Sequence, residues 1–344
     1  MPELLQAIKA EMALRSRYIG LPDTLYIGGG TPSLCEATAL GGLIGAAKAL
    51  WQTDFEEVTV ELNPEDITLA YCQRLADYGV NRLSIGVQSF FDEHLRFMNR
   101  RHNGAQAIKA VEAARWAGFT NVGIDLIFGF PGLTRAQWRQ NIMQALSLSP
   151  EHISAYQLGI EPGTPFFKRY KEGLLRPVAQ EEAAAQYALL QQRLSAAGWE
   201  QYEVSNFAKK GYRSKHNSAY WRGVPYLGLG PSAHSFNGVA RHANVSHLGR
   251  YLKGISALQL PLKEERLTPK KRYNEFVMTR LRTAEGLSLA ALEQQGFHAN
   301  IRRHFKEAVF RLLQQGLLTE QEGFIKIPSQ KWFVLDGIII AMLV

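Results

Sequence analysis

Four short apolar segments near the start of the chain each end in residues that can bind ligands or do chemistry. Residues 25–27 run into Gly28-Gly29-Gly30-Thr31-Pro32, and residues 58–60 into Glu61-Leu62-Asn63-Pro64. Residues 82–87 lead to Gln88-Ser89-Phe90, and Gly123-Ile124 to Asp125, ahead of Gly129-Phe130-Pro131-Gly132. Glycine has no Cβ, so a ligand can approach the first loop closely. The spacing is not the G-x-G-x-x-G dinucleotide fingerprint, and a tight βα turn suits the same residues. Glu61 can accept from an amino group or ribose hydroxyls, or stand as a solvated turn carboxylate. Arg100, one helix beyond Gln88, can pair bidentately with a carboxylate or lie in solvent. Asp125 is the sharpest of the set. It interrupts the apolar run Ile124, Leu126, Ile127, Phe128, where an ionised group needs a partner or a ligand.

A second group lies further on, in His216-Asn217-Ser218-Ala219-Tyr220-Trp221. His216 can offer an imidazole nitrogen to a ligand, and Tyr220 and Trp221 offer flat apolar surface. An aromatic loop covering one end of a barrel fits the same residues. The glycines at 228 and 230 point to a close turn, and His234 is a candidate second pocket residue.

The elements that must position these groups follow from periodicity. Strands are predicted at 24–27, 57–62, 82–87, 121–127 and 153–158, with helices near 38–50, 68–78, 92–98, 104–117 and 134–147. Such βα units make a parallel sheet that gathers chemistry at its strand ends. A long helix at 179–197 precedes a further strand at 201–204, and residues 206–244 read as loop. After about residue 262, helices at 269–283, 288–295 and 300–315 and two short strands near 317–319 and 324–327 suggest a winged-helix-like end. The expected divisions are 1–205, 206–262 and 263–344.

Composition sets broader bounds. A chain of 344 residues with 46% hydrophobic residues is globular. It has no spanning run and no signal peptide pattern, and two cysteines cannot frame disulfides, so a reducing cytoplasm is expected. The net charge of +8 permits anionic partners, but the basic residues are dispersed.

In order and in type, these positions resemble the radical S-adenosylmethionine (radical SAM) proteins of the coproporphyrinogen-oxidase-like group, through nearly the whole chain. The resemblance implies a partial (β/α)6 TIM-type barrel missing its first strand, with a small C-terminal winged-helix-like α+β domain. It implies that Gly29, Gly30, Thr31, Glu61, Gln88, Arg100, Asp125 and Gly159 contact S-adenosylmethionine. The H-N-x-x-Y-W pattern resembles the haem chaperone branch and assigns His216, Tyr220 and Trp221 to haem. Haem and apo-haem proteins are then the implied partners, and no catalytic residue is assigned.

Members of this family hold a [4Fe–4S] cluster on a C-x3-C-x2-C loop, and cluster ligation needs clustered thiolates. Only Cys35 and Cys72 occur here, in different βα units, and they are read as packed thiols. The expectation is that the first strand and cysteine loop belong upstream of Met1, through a mis-set start or fragment rather than a natural short form. An unpaired apolar edge at 24–27 argues for that choice. For the residues given, no intact cluster and no reductive cofactor cleavage are expected. A haem chaperone is the favoured function, with catalysis left open. The alternatives are an oxygen-independent coproporphyrinogen III oxidase and a cofactor-poor protein that binds a partner or nucleic acid. Lys270-Lys271-Arg272 and Arg302-Arg303 alone encourage the last.

Overall fold

The computed structural model describes residues 1–344. Its first seven strands are β1 (Thr24–Ile27), β2 (Glu57–Leu62), β3 (Arg82–Gln88), β4 (Val122–Phe128), β5 (His152–Gln157), β6 (Glu200–Gln201) and β7 (Asn206–Ala208). They form one sheet in the order β1-β2-β3-β4-β5-β7-β6. The later strands are β8 (His234–Phe236), β9 (Ala240–Asn244), β10 (Leu262–Arg266), β11 (Leu287–Ser288), β12 (Thr319–Gln321) and β13 (Phe324–Lys326).

Helices α1 (Pro2–Leu14), α2 (Ala37–Trp51), α3 (Leu69–Asp77), α4 (Asp92–Phe97), α5 (Gly104–Trp116) and α6 (Arg135–Ser147) alternate with the early strands. They are followed by α7 (Pro165–Lys171), α8 (Gln180–Ala196), α9 (Lys215–Trp221) and α10 (Leu248–Ser256). The C-terminal helices are α11 (Pro269–Arg280), α12 (Leu289–Gln294), α13 (Ala299–Gln314) and α14 (Leu335–Ile340). None of these is long and apolar enough to cross a membrane.

The chain divides into two compact units. One comprises Tyr26–Leu34 and Val58–Ser214 and carries most of the seven-stranded sheet. Strands β2 to β5 pair in parallel, as the βα alternation predicts. Val60, Leu83, Ile85, Ile124 and Leu126 share one face of the sheet and are almost wholly buried, whereas the other face carries Glu61, Ser84 and Asp125. Capping boxes start two of its helices: Asn103 with Gln106 at α5, and Thr134 with Gln137 at α6.

Two expectations need correction here. Of the strand expected at 201–204 only Gln201 is extended in the sheet: β6 and β7 are short antiparallel pieces joined through residues 202–205. The side chains explain the break. The Tyr202 hydroxyl bonds His152 Nε2 at 2.7 Å, and Glu203 accepts the Ser205 amide at 3.1 Å, which favours a turn over a continuous ladder. Strand β7 also runs antiparallel to β5, ending the parallel series.

The other unit comprises Met1–Leu25, Cys35–Glu57 and Lys215–Val344. Here the loop expected up to residue 244 holds ordered structure, α9, β8 and β9, and beyond it β10 completes a three-stranded antiparallel sheet, order β10-β9-β8. Its strands carry charged and aromatic side chains instead of an apolar alternation, so the period is hidden. Helices α11 to α13 and strand β13 stand where predicted, β12 starts two residues later than expected, α14 was not anticipated, and β11 adds a third strand against β13.

A buried carboxylate joins α1 to this sheet. Glu11 receives Arg15 at 3.2 Å, the Gly230 amide at 2.9 Å, Asn244 Nδ2 at 2.7 Å and the Tyr251 hydroxyl at 2.7 Å. Both members of the Glu11–Arg15 pair are almost completely buried. Removing one partner strands a desolvated charge, a loss of about 3–5 kcal/mol. Glu11→Ala is therefore expected to destabilise the protein by that amount in urea unfolding, and Tyr251→Phe by about 1 kcal/mol. A Glu11→Ala loss below that of Tyr251→Phe would contradict the network.

Candidate functional site

At the strand ends of the sheet, a polar cavity of about 210 Å³ is lined by Gly30, Thr31, Glu61, Gln88, Arg100 and Asp125, among others. Six of the residues expected to contact one ligand thus share one space. Gly29 adjoins it through the loop, whereas Gly159 is exposed beyond β5 and does not line it.

Glu61 shapes the loop. Its Oε1 accepts the Tyr26 hydroxyl at 2.5 Å and its Oε2 accepts the Gly29 amide at 3.1 Å. This arrangement presses the backbone so close that a Cβ on Gly28 would lie 2.5 Å from Tyr26 Cε1 and 2.7 Å from Glu61 Cδ. The next turn is tied to the loop as well. Ser33 donates to Asp66 at 2.6 Å and accepts the Asn63 amide at 3.2 Å.

Gln88 reaches the cavity through a register shift in β3 between Ile85 and Gln88, and its φ is +63°. Such bulges re-aim side chains, and a positive φ at a residue other than glycine stores strain. Nothing in the local sequence signalled this. Arg100 donates to Asn63 Oδ1 at 2.7 Å and to the Gly86 carbonyl at 3.4 Å. Its buried Nε has no hydrogen-bond partner, and its acceptors are neutral. Asp125 has Ser84 Oγ at 3.5 Å from both carboxylate oxygens. Burial pushes its carboxyl up to about 6; hydrogen bonds from Ser154 and Ser84 and the Arg82 charge oppose this, and Glu61 reinforces it.

His216, Tyr220 and Trp221 belong to the other unit, on α9. Glu57 accepts the amides of Lys215 at 2.9 Å and His216 at 3.0 Å, placing a negative charge at the helix start. The His216 ring shares a 2.8 Å hydrogen bond between Nδ1 and Thr24 Oγ1. It faces a cavity of about 500 Å³ whose wall is mainly apolar, including Met12, Leu25, Trp51, Phe55 and Tyr226. Tyr220 stands edge-on to His216 at 5.0 Å and to Tyr226 at 4.5 Å between ring centres. Trp221 faces an adjacent cavity instead of this one, because it follows Tyr220 around the helix. His234, the other candidate, lies on β8 and lines neither cavity.

The cysteines are buried side chains that form no disulfide. Burial pushes the Cys72 thiol up to about 11. Cys35 and Cys72 fall in different units, and no group of three or more potential metal ligands occurs.

Comparison with known proteins agrees with this architecture. Residues 4–144 match the radical SAM superfamily, and residues 267–334 the HemN C-terminal domain. The heme chaperone HemW of Bacillus subtilis is 34% identical over 95% of this chain and 88% of its own length. HemW of Lactococcus lactis is 36% identical, over 86% of this chain and 78% of its own. A zebrafish mitochondrial protein, radical S-adenosyl methionine domain-containing protein 1, is 33% identical over 98% and 79%. Coproporphyrinogen III oxidase (HemN) of Escherichia coli superposes with a TM-score of 0.84, covering 99% of this chain and 82% of that one at 22% identity. That likeness concerns the fold.

Asp125 supplies a test of the strand-end cavity. An unfolded aspartate titrates near 4. A folded value raised to about 6 means stability is lost as the pH climbs from about 4 to about 6, then stays level. Asp125→Asn is expected to raise stability above pH 6 by on the order of 2 kcal/mol and to match the parent below pH 4. Urea midpoints at pH 4 and pH 7.5 measure the difference. An equal gain at both values would mean the carboxyl is not desolvated.

Proposed function

This chain belongs to the HemW family of the radical SAM superfamily, and from that premise we propose that it binds haem and delivers it to apo-haem proteins. The observation that carries the reading is the His216 imidazole, held by Thr24 at the wall of a large apolar cavity. A hydrogen bond at Nδ1 orients the ring and directs iron ligation to Nε2. The aromatic walls suit a planar tetrapyrrole, whose burial excludes water from both faces. His216, Tyr220 and Trp221 are the assigned haem residues, within an extension taken as 206–262. That extension lies between a partial barrel, 1–205, and a winged-helix-like end, 263–344. Cytoplasmic work and recipient haem proteins belong to the same proposal.

The reading also assigns S-adenosylmethionine to the strand-end cavity. Two features support the fit: an arginine whose guanidinium meets neutral acceptors only, and a glycine loop with open space beside Gly29 and Gly30. Arg100 would take the methionyl carboxylate. Asp125, half-protonated near pH 6, would exchange hydrogen bonds with ligand hydroxyl or amino groups. Glu61 keeps the loop in shape, with Gly29, Gly30, Thr31 and Gln88 around it; Gly159 is assigned a contact from outside the cavity. When bound, S-adenosylmethionine supplies a sulfonium centre with a cleavable carbon–sulfur bond. A [4Fe–4S] cluster on three thiolates does not fit the residues of this chain, which has two cysteines. The likeness to HemN carries the fold alone.

Haem titration should give a Soret shift in the parent that is lost, or weakened by about tenfold in affinity, in His216→Ala. Lys270→Ala, on the exposed start of α11, should behave as the parent. A spectrum unchanged by His216→Ala would remove this residue as the ligand.

A further inference from the structure

Beside the His216 cavity, and sharing Tyr220, Arg222, Val224 and Tyr226 with it, lies a second cavity of about 330 Å³. Four guanidinium groups, those of Arg222, Arg241, Arg272 and Arg280, line it against the single carboxylate of Glu275. Aromatic rings make up much of the remaining wall, among them Trp221, Phe236 and Phe276.

The arginines are not equivalent. Arg241 is neutralised, its Nε and Nη2 meeting the two Glu275 oxygens at 2.7 and 2.9 Å. Arg280 donates to the carbonyls of Trp221 and Arg222, the latter at 2.7 Å, and lies 5.2 Å from the Phe276 ring centre. It therefore caps the end of α9 while keeping its charge. Burial and the neighbouring Arg222 both push Arg280 down from its ordinary value. Arg222 and Arg272 make no ion pair. Three of the four cations thus line the cavity without a carboxylate partner, where an entering anion would meet them.

We infer that this second cavity binds carboxylate groups borne by a planar aromatic ligand, and that it receives the propionate side chains of haem seated at His216. The inference rests on the haem reading for the identity of that ligand, but its own chemistry is the pairing of guanidinium with carboxylate. A fork of N–H donors matches a carboxylate bidentately, and the rings select a flat carrier. In this arrangement the shared wall of Tyr220 and Tyr226 spans both functions, with iron on one side and acid groups on the other. Arg222 and Arg272 are the specificity-determining residues, and Arg280 is a positioning residue because it holds the end of α9.

Metal-free protoporphyrin IX tests this without iron, so ligation by His216 does not enter. Titrated into the full chain and followed by porphyrin fluorescence, it should bind about tenfold more weakly to the Arg222→Gln/Arg272→Gln double variant. The dimethyl ester should bind the parent more weakly by a similar factor and show no further loss in the variant. Excess inorganic phosphate should compete poorly if the flat carrier is required; full displacement by it would overturn the aromatic part of the inference. Arg222 and Arg272 are both exposed, and an unchanged circular dichroism spectrum verifies the variant's fold. Equal binding of acid and ester, or an unaffected double variant, overturns the inference even if the His216 Soret test succeeds. A variant effect with acid but not ester upholds it even if that Soret test fails.

Discussion

Glu61 commits both oxygens of its carboxylate to its own surroundings, one to the Tyr26 hydroxyl and one to the Gly29 amide. The glycine loop takes its shape from that tie, because the backbone is drawn over β2 until no side chain fits at Gly28. A second consequence concerns charge. With Glu61 turned toward the loop, Arg100 is left with an asparagine and a backbone carbonyl as its acceptors. The cavity therefore holds one cation without a carboxylate partner and one aspartate whose burial favours its neutral form. A zwitterionic ligand with its own carboxylate complements that pattern.

The other unit uses the same physics in two opposite ways. Around Glu11, four donors converge on one buried carboxylate, and the result is a structural joint between α1, β9 and α10. In the cavity below α9, the balance is reversed: guanidinium groups exceed carboxylates, and the surplus is not absorbed by the fold. Compensated charge makes architecture. Charge left without a counter-charge beside aromatic walls leaves a place where the carboxylate of a ligand can pair.

Much of the sheet was legible from the chain. Strands at 24–27 and 57–62 stand where their apolar runs end in glycine or asparagine–proline, and helices α5 and α6 begin where their capping residues sit. The small sheet of β8, β9 and β10 was not legible. Its residues, such as Arg241, His242 and Glu264, take part in ion pairs and ring contacts rather than in an apolar face. The bulge at Gln88 was hidden for another reason. A residue forced to positive φ by its neighbours across a sheet leaves no trace in its own local spacing.

Residue type and strand-end position were therefore settled within the sequence, since both follow from short-range periodicity and turn chemistry. The family resemblance those residues carry, not their spacing alone, nominated Thr31, Glu61, Arg100 and Asp125 as neighbours, and His216 with Tyr220 as a pair. What each charge does was decided only in three dimensions. Glu61 meets Tyr26 from an adjoining strand, Arg241 meets Glu275 from α11, and Arg280 meets the end of α9. Electrostatic compensation depends on distance in space, and the partners that provide or deny it lie tens of residues apart along the chain.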